Sequence, residues 1–60
     1  MIVRDKKREE ITGISRRHAL ELEKKDQFPK RRKLSARAVG WVESELLDWV
    51  ASRETVGYEG

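Results

Sequence analysis

The side chains with the most chemistry to offer in this chain are cations. Arg16, Arg17 and His18 stand together, and Lys30, Arg31, Arg32 and Lys33 follow a Phe-Pro pair, with Arg37 close behind. Such density suits a polyanion. An Arg fork gives two parallel hydrogen bonds to a phosphate or to the O6/N7 edge of guanine, and a Lys places a point charge beside a phosphate. Catalysis finds no support, because no pair of residues offers a nucleophile with a base, and His18 has no partner residue nearby. His18 cannot build a zinc site alone, the chain has no cysteine, and the carboxylates lack the ligand spacing of a calcium loop. The expectation is a protein without metal, cofactor or enzymatic activity.

The placement of charge says more than its net value. Residues 1–40 hold 13 Lys/Arg against 6 Asp/Glu, while residues 41–60 hold 1 against 5, so a segment of +7 adjoins one of −4 within a net +3. A uniformly solvated surface mixes its signs; this asymmetry favours nucleic acid or an anionic membrane surface. No apolar run exceeds three residues, so no span is expected, and "MIVRDKKREE" lacks the apolar region of a secretory signal. The absence of cysteine fits the cytoplasm.

Sixty residues make one small domain with a thin core. A charged fraction of 42% would permit disorder, but the apolar residues are patterned and two tryptophans argue for a core. Lys6 to Thr12 reads as a helix stopped by Gly13; its only firm apolar residue is Ile11, with Ile2 and Val3 upstream as docking contacts. Ser15 is a favoured N-cap for a second helix over Arg16 to Lys25, with Ile14, Ala19 and Leu22 on one side. Two short helices around a Gly-containing turn form a helix-turn-helix signature.

Phe28-Pro29 ends the second helix, and "RRKL" and "AVGW" around "SAR" read as a β-hairpin. Leu34, Val39 and Trp41 are expected to face inward and Arg31, Lys33 and Arg37 outward. In "VESELLDWVASR", Val42, Leu46, Trp49 and Val50 form an apolar stripe at helical spacing. Glu43, Glu45 and Asp48 suit the start of that helix, Arg53 its end, and Ser44 is a candidate cap. Full burial of Leu46 and Trp49 would be worth roughly 1.5–3 kcal/mol each. The expected architecture is α+β, mostly α: a domain over residues 1–53, then a tail over 54–60 without periodic pattern, expected to fray. Its expected core is Ile11, Ile14, Ala19, Leu22, Phe28, Leu34, Val39, Trp41, Leu46, Trp49 and Val50.

The order of these pieces carries a resemblance. "TGIS" (Thr12 to Ser15), "FPK" (Phe28 to Lys30), Lys33-Leu34 and the run "RAVGWVESELLDW" (Arg37 to Trp49) are similar to the AlpA family of small prophage regulators. Those proteins resemble the DNA-binding part of MerR-type regulators and the phage excisionases, which implies a small winged helix-turn-helix. The chain departs from the family pattern at Asp5 and Arg8, where apolar residues are usual, and at Asp26, where a Gly is usual. It also departs at Ser35-Ala36, a turn that is often Gly-Gly, and at Arg31 and Arg32, where Pro and an apolar residue are common.

The resemblance implies that the second helix enters the major groove of double-stranded DNA, presenting Ser15, Arg16, Arg17, His18 and Glu21. Arg16 and Arg17 would read guanine or grip phosphate; otherwise they form a solvated face. Glu21 would accept from cytosine N4 or pair with Lys25, the pair being the favoured reading. His18 serves base or phosphate contact or is simply exposed. Lys30, Arg31, Arg32, Lys33 and Arg37 would form a basic wing on phosphates or the minor groove, in preference to a solvated run or to the nuclear-localisation pattern that "PKRRKL" also satisfies. Trp41 and Trp49 sit on apolar stripes and are read as core residues, not as platforms for stacked bases, so RNA binding is disfavoured.

The implied function is sequence-specific DNA binding, controlling integrase expression or directing excision, in the bacterial cytoplasm at the nucleoid. Monomers would bind tandem sites cooperatively, with a phage integrase as a possible partner. The competing reading is a protein-interaction module that works through the acidic last helix.

Overall fold

The structure is a computed structural model and describes residues 1–54. A short strand, β1 (Ile2–Val3), leads into α1 (Asp5–Thr12) and α2 (Arg16–Lys24). The hairpin β2 (Arg32–Ser35) and β3 (Ala38–Val42) follows, and α3 (Glu43–Ala51) closes the domain. The strands form one antiparallel sheet in the order β1-β3-β2. This is the expected mostly helical α+β domain, a small winged helix-turn-helix. The expected tail falls almost wholly on residues 55–60, outside the described residues.

Local chemistry explains where the helices begin and end. Gly13 has φ +74° and its amide donates to the Glu9 carbonyl at 2.7 Å, closing α1 in a left-handed cap. Ser15 caps α2, its hydroxyl accepting from the His18 amide at 3.2 Å. At the far end of α2, Gln27 donates to the Leu22 carbonyl at 2.8 Å and Asp26 to that of Glu23 at 3.0 Å. Together with φ +58° at Asp26, this is a Schellman motif, built with Asp where Gly is the easier choice. Ser44 does not cap α3. Val42, still extended at φ −77° and ψ 120°, is the N-cap, because β3 runs straight into the helix.

The core is Val3, Ala19, Phe28, Trp41 and Leu46, with Ile11, Ile14, Leu22 and Trp49 packed half-buried against it. Trp49 donates from its indole to the Gln27 carbonyl at 2.8 Å and meets Phe28 edge-on, with centroids 4.9 Å apart. Eight of the eleven expected core residues therefore stand.

Leu34, Val39 and Val50 do not. They are 42%, 38% and 39% exposed. Register decides the first. Lys33 faces Val39 and Arg32 faces Gly40, so Lys33, Val39 and Trp41 share one side of the sheet while Leu34 lies on the other with Arg32. There it meets the Ile2 side chain over Gly40: a Cβ built at Gly40 would lie 3.1 Å from Leu34 and 2.8 Å from Ile2. Val39 is on the Trp41 side but near the tip of the hairpin, next to the closing Ser35–Ala38 pair. On α3, the buried side runs between Leu46 and Trp49, and Val50 lies about 40° away from Leu46 in the opposite sense.

Two core features were not anticipated. Ile2–Val3 is a strand, pairing with Val42 and Trp41, and the Glu43 amide donates to the Met1 carbonyl at 2.7 Å. Arg8 on α1 is fully buried. Its guanidinium donates to the Ile14 carbonyl at 2.5 Å and to Asp5 at 2.8 Å, and lies 5.5 Å from the Trp41 ring centroid. One cation thus joins α1, the turn before α2, and the middle strand.

Candidate nucleic-acid interface

Every expected reading residue of α2 is exposed: Ser15, Arg16, Arg17, His18 and Glu21. Ala19, on the opposite side, is buried in the core and Leu22 half-buried against it, so core packing fixes which face α2 turns outward. Arg16, Arg17, Leu20, Glu21 and Lys24 line an open concavity along that face. Glu21 pairs with Arg17 at 3.5 Å and not with the expected Lys25, because α2 ends at Lys24 and Lys25 belongs to its C-cap. The pair is exposed and weak, leaving both groups available to another partner.

The basic run splits in two. Arg31, Lys33 and Arg37 line a groove with Glu23, Ser35, Ala36, Ala38 and Val39 on the Trp41 side of the hairpin. Arg31 is partly engaged there, donating from Nε to Glu23 at 3.1 Å. Lys30 and Arg32 line a different concavity with Asp26, Phe28, Pro29, Glu45 and Asp48. Both are held by acids, Lys30 by Asp26 at 2.6 Å and Arg32 by Glu45 at 2.7 Å. The Asp26 carboxyl is held below the usual carboxylate range, first by its hydrogen bond from Lys30 and then by that ammonium's charge; Lys30 is raised in turn. The five expected wing cations therefore do not share one surface.

The groove continues toward the N-terminus. Arg4 and Lys6, at the junction of β1 and α1, close on Arg16, Arg31 and Arg37 around a cavity of about 400 Å³ with Trp41 and Val39 in its wall. The sequence marks these two cations only by charge, since their approach to the hairpin depends on the pairing of β1 with β3. Trp41 is 2% exposed and works as packing. Among the described residues no group of three or more His, Asp or Glu is placed to hold a metal ion, and no helix is long and apolar enough to cross a membrane.

A helix-turn-helix followed by a β-hairpin, with a cation-lined face running from one to the other, defines a small winged-helix protein with one basic face. The family model described as prophage CP4-57 regulatory protein (AlpA) matches residues 1–54, and the chain belongs to that family of regulatory proteins. No curated protein and no solved structure matches it.

Proposed function

We propose that the protein is a sequence-specific DNA-binding regulator, in which α2 enters the major groove and the hairpin lies on the adjacent backbone. The single observation that carries this reading is the continuity of the cationic face. Arg16 and Arg17 at the start of α2 share one side of the molecule with Arg31, Lys33 and Arg37 of the hairpin. Arg16 and Arg17 occupy the helix turn that reaches base edges in helix-turn-helix complexes. The hairpin cations supply phosphate contacts, which position the domain without reading sequence. In a prophage regulator this activity serves integrase expression, excision, or both.

Fluorescence anisotropy against mixed-sequence duplex DNA over a salt series tests the proposal. Each phosphate contact contributes about −0.9 to the slope of log affinity against log salt, so four or five contacts give a slope on the order of −4. Arg16→Ala/Arg17→Ala and Lys33→Ala/Arg37→Ala both weaken binding and flatten the slope. Lys30→Ala/Arg32→Ala does so least, because those cations answer to Asp26 and Glu45 on the other side. A folded protein with no affinity at low salt refutes the reading.

One observation favours a second role for α3. Leu47 is 53% and Val50 39% exposed, one turn apart on the acidic helix. This is a surface for a protein partner such as an integrase or a neighbouring copy on DNA. Leu47→Ser and Asp48→Lys would abolish such a contact while leaving DNA binding by the isolated domain intact.

A further inference from the structure

We infer that the cavity closed by Arg4, Lys6, Arg16, Arg31 and Arg37 seats a backbone phosphate of duplex DNA, so that the start of α1 is a third contact element besides α2 and the hairpin. This rests on the DNA-binding reading above. Three separate parts of the chain bring cations to one hollow: the β1–α1 junction, the first residue of α2, and the two ends of the hairpin. Gathering like charges opposes folding, and several cations outside the cavity are paired instead. Lys7 is held by Glu10, Lys30 by Asp26 and Arg32 by Glu45. Among the described residues, Arg4, Lys6, Arg16 and Arg37 have no acidic partner within ion-pair distance.

The one acid in the cavity wall, Asp5, is committed to the buried Arg8 at 2.8 Å. Arg31 shares itself with Glu23. What remains is a concave site with a surplus of cationic donors and no free acceptor among its charged side chains, which suits a phosphodiester better than a base. A base edge needs donors and acceptors in a fixed pattern, whereas a phosphate needs only converging cations. The site also lies where α1 would cross the backbone while α2 occupies the groove.

The test compares two variants of equal charge in the same salt series. Arg4→Ala/Lys6→Ala removes two cations of the cavity; Lys7→Ala/Lys25→Ala removes two exposed cations outside it. All four residues are exposed, so both variants should fold, which far-UV circular dichroism verifies. The cavity variant is expected to lose roughly tenfold in affinity per cation near 0.1 M salt and to flatten the salt slope by about 0.9 per contact, equally on every duplex sequence. The control should lose no more than a few-fold, and Arg4→Lys/Lys6→Arg should restore binding. Equal losses from the two variants, or an unchanged slope for Arg4→Ala/Lys6→Ala, overturn the cavity assignment while the DNA reading survives. Absence of DNA binding by the folded wild type overturns both.

Discussion

Arg8 offers the sharpest test of how the domain is held together. Its guanidinium makes two charge-assisted hydrogen bonds, to Asp5 and to the Ile14 carbonyl, worth about 1.5–3 kcal/mol each. Its position on the Trp41 ring adds up to about 2 kcal/mol where water is excluded. Dehydrating the cation costs several kcal/mol, and Arg8 Nε finds no acceptor, a further penalty of about 1–3 kcal/mol. The two sides nearly cancel. Replacing Arg8 with Met, which fills similar space without charge, removes both sides together. The residual cost is the Ile14 carbonyl left without a donor, about 1–3 kcal/mol.

Asp5→Ala behaves differently, because it strands the buried cation. Losing a partner costs about 3–5 kcal/mol where both groups are buried. The Asp5 side chain is 45% exposed, so about 1–3 kcal/mol is expected here. In the double variant the penalty of the stranded charge disappears, and Asp5→Ala/Arg8→Met should match Arg8→Met alone to within about 0.5 kcal/mol. Urea unfolding followed by tryptophan fluorescence reads all three. A domain of this size has roughly 3–9 kcal/mol in total, so losses of about 1–3 kcal/mol are a large share of it and shift the unfolding midpoint measurably. Full additivity in the double variant would refute the coupling, and a loss above about 5 kcal/mol for Arg8→Met would refute the near-cancellation.

Further outcomes follow from other contacts. Gly40→Ala should cost about 1–3 kcal/mol in the same assay, because its Cβ would meet the Val3 carbonyl oxygen at 2.9 Å and must push β1 off the sheet. Gly13→Ala meets open space but at φ +74°, so only the left-handed backbone penalty of about 1–2 kcal/mol applies. The Asp26 carboxyl should titrate below the ordinary aspartate range by NMR, and Lys30→Met should return it there. Since the folded state lowers this pKa, the pair's contribution is complete above the ordinary Asp value and is lost as pH falls through the lowered one. Glu23→Gln should tighten DNA binding several-fold and steepen the salt slope by about 0.9, since it frees Arg31 within the groove; an unchanged slope would place Arg31 outside the interface.

The helical half of the fold was legible because its signals are local. Gly13 and Ser15 mark a stop and a start that depend only on backbone dihedrals and one hydroxyl, and the apolar spacing around Ala19 and Leu46 states which faces are buried. The hairpin was legible as an element but not in its facing, because a strand of four residues carries too short a pattern to fix its register. Leu34 looked internal by type, yet the pairing of Arg32 with Gly40 sends it to the other side. Strand β1 and the burial of Arg8 were illegible for a different reason. A two-residue strand has no periodicity, and an arginine buries only where an acid, a carbonyl and an aromatic ring happen to converge, which tertiary structure alone provides.

The run from Lys30 to Lys33 shows how period two sorts a charge cluster. Arg32 and Lys33 are consecutive in β2 and point to opposite sides, so the four adjacent cations cannot all serve one surface. Arg31 and Lys33 fall on the Trp41 side with Arg37, whereas Lys30 and Arg32 fall on the other. The chain answers the second pair with acids, Asp26 from the end of α2 and Glu45 from the first turn of α3, and leaves Lys33 and Arg37 without one among the described residues. The acidic bias of the C-terminal third thus has a structural use. Glu45 neutralises the side of the hairpin turned toward α3, and the net positive potential is left on the side that α2 shares. A basic run by itself says only that a polyanion is welcome; the alternation of the strand and the position of each acid say from which direction.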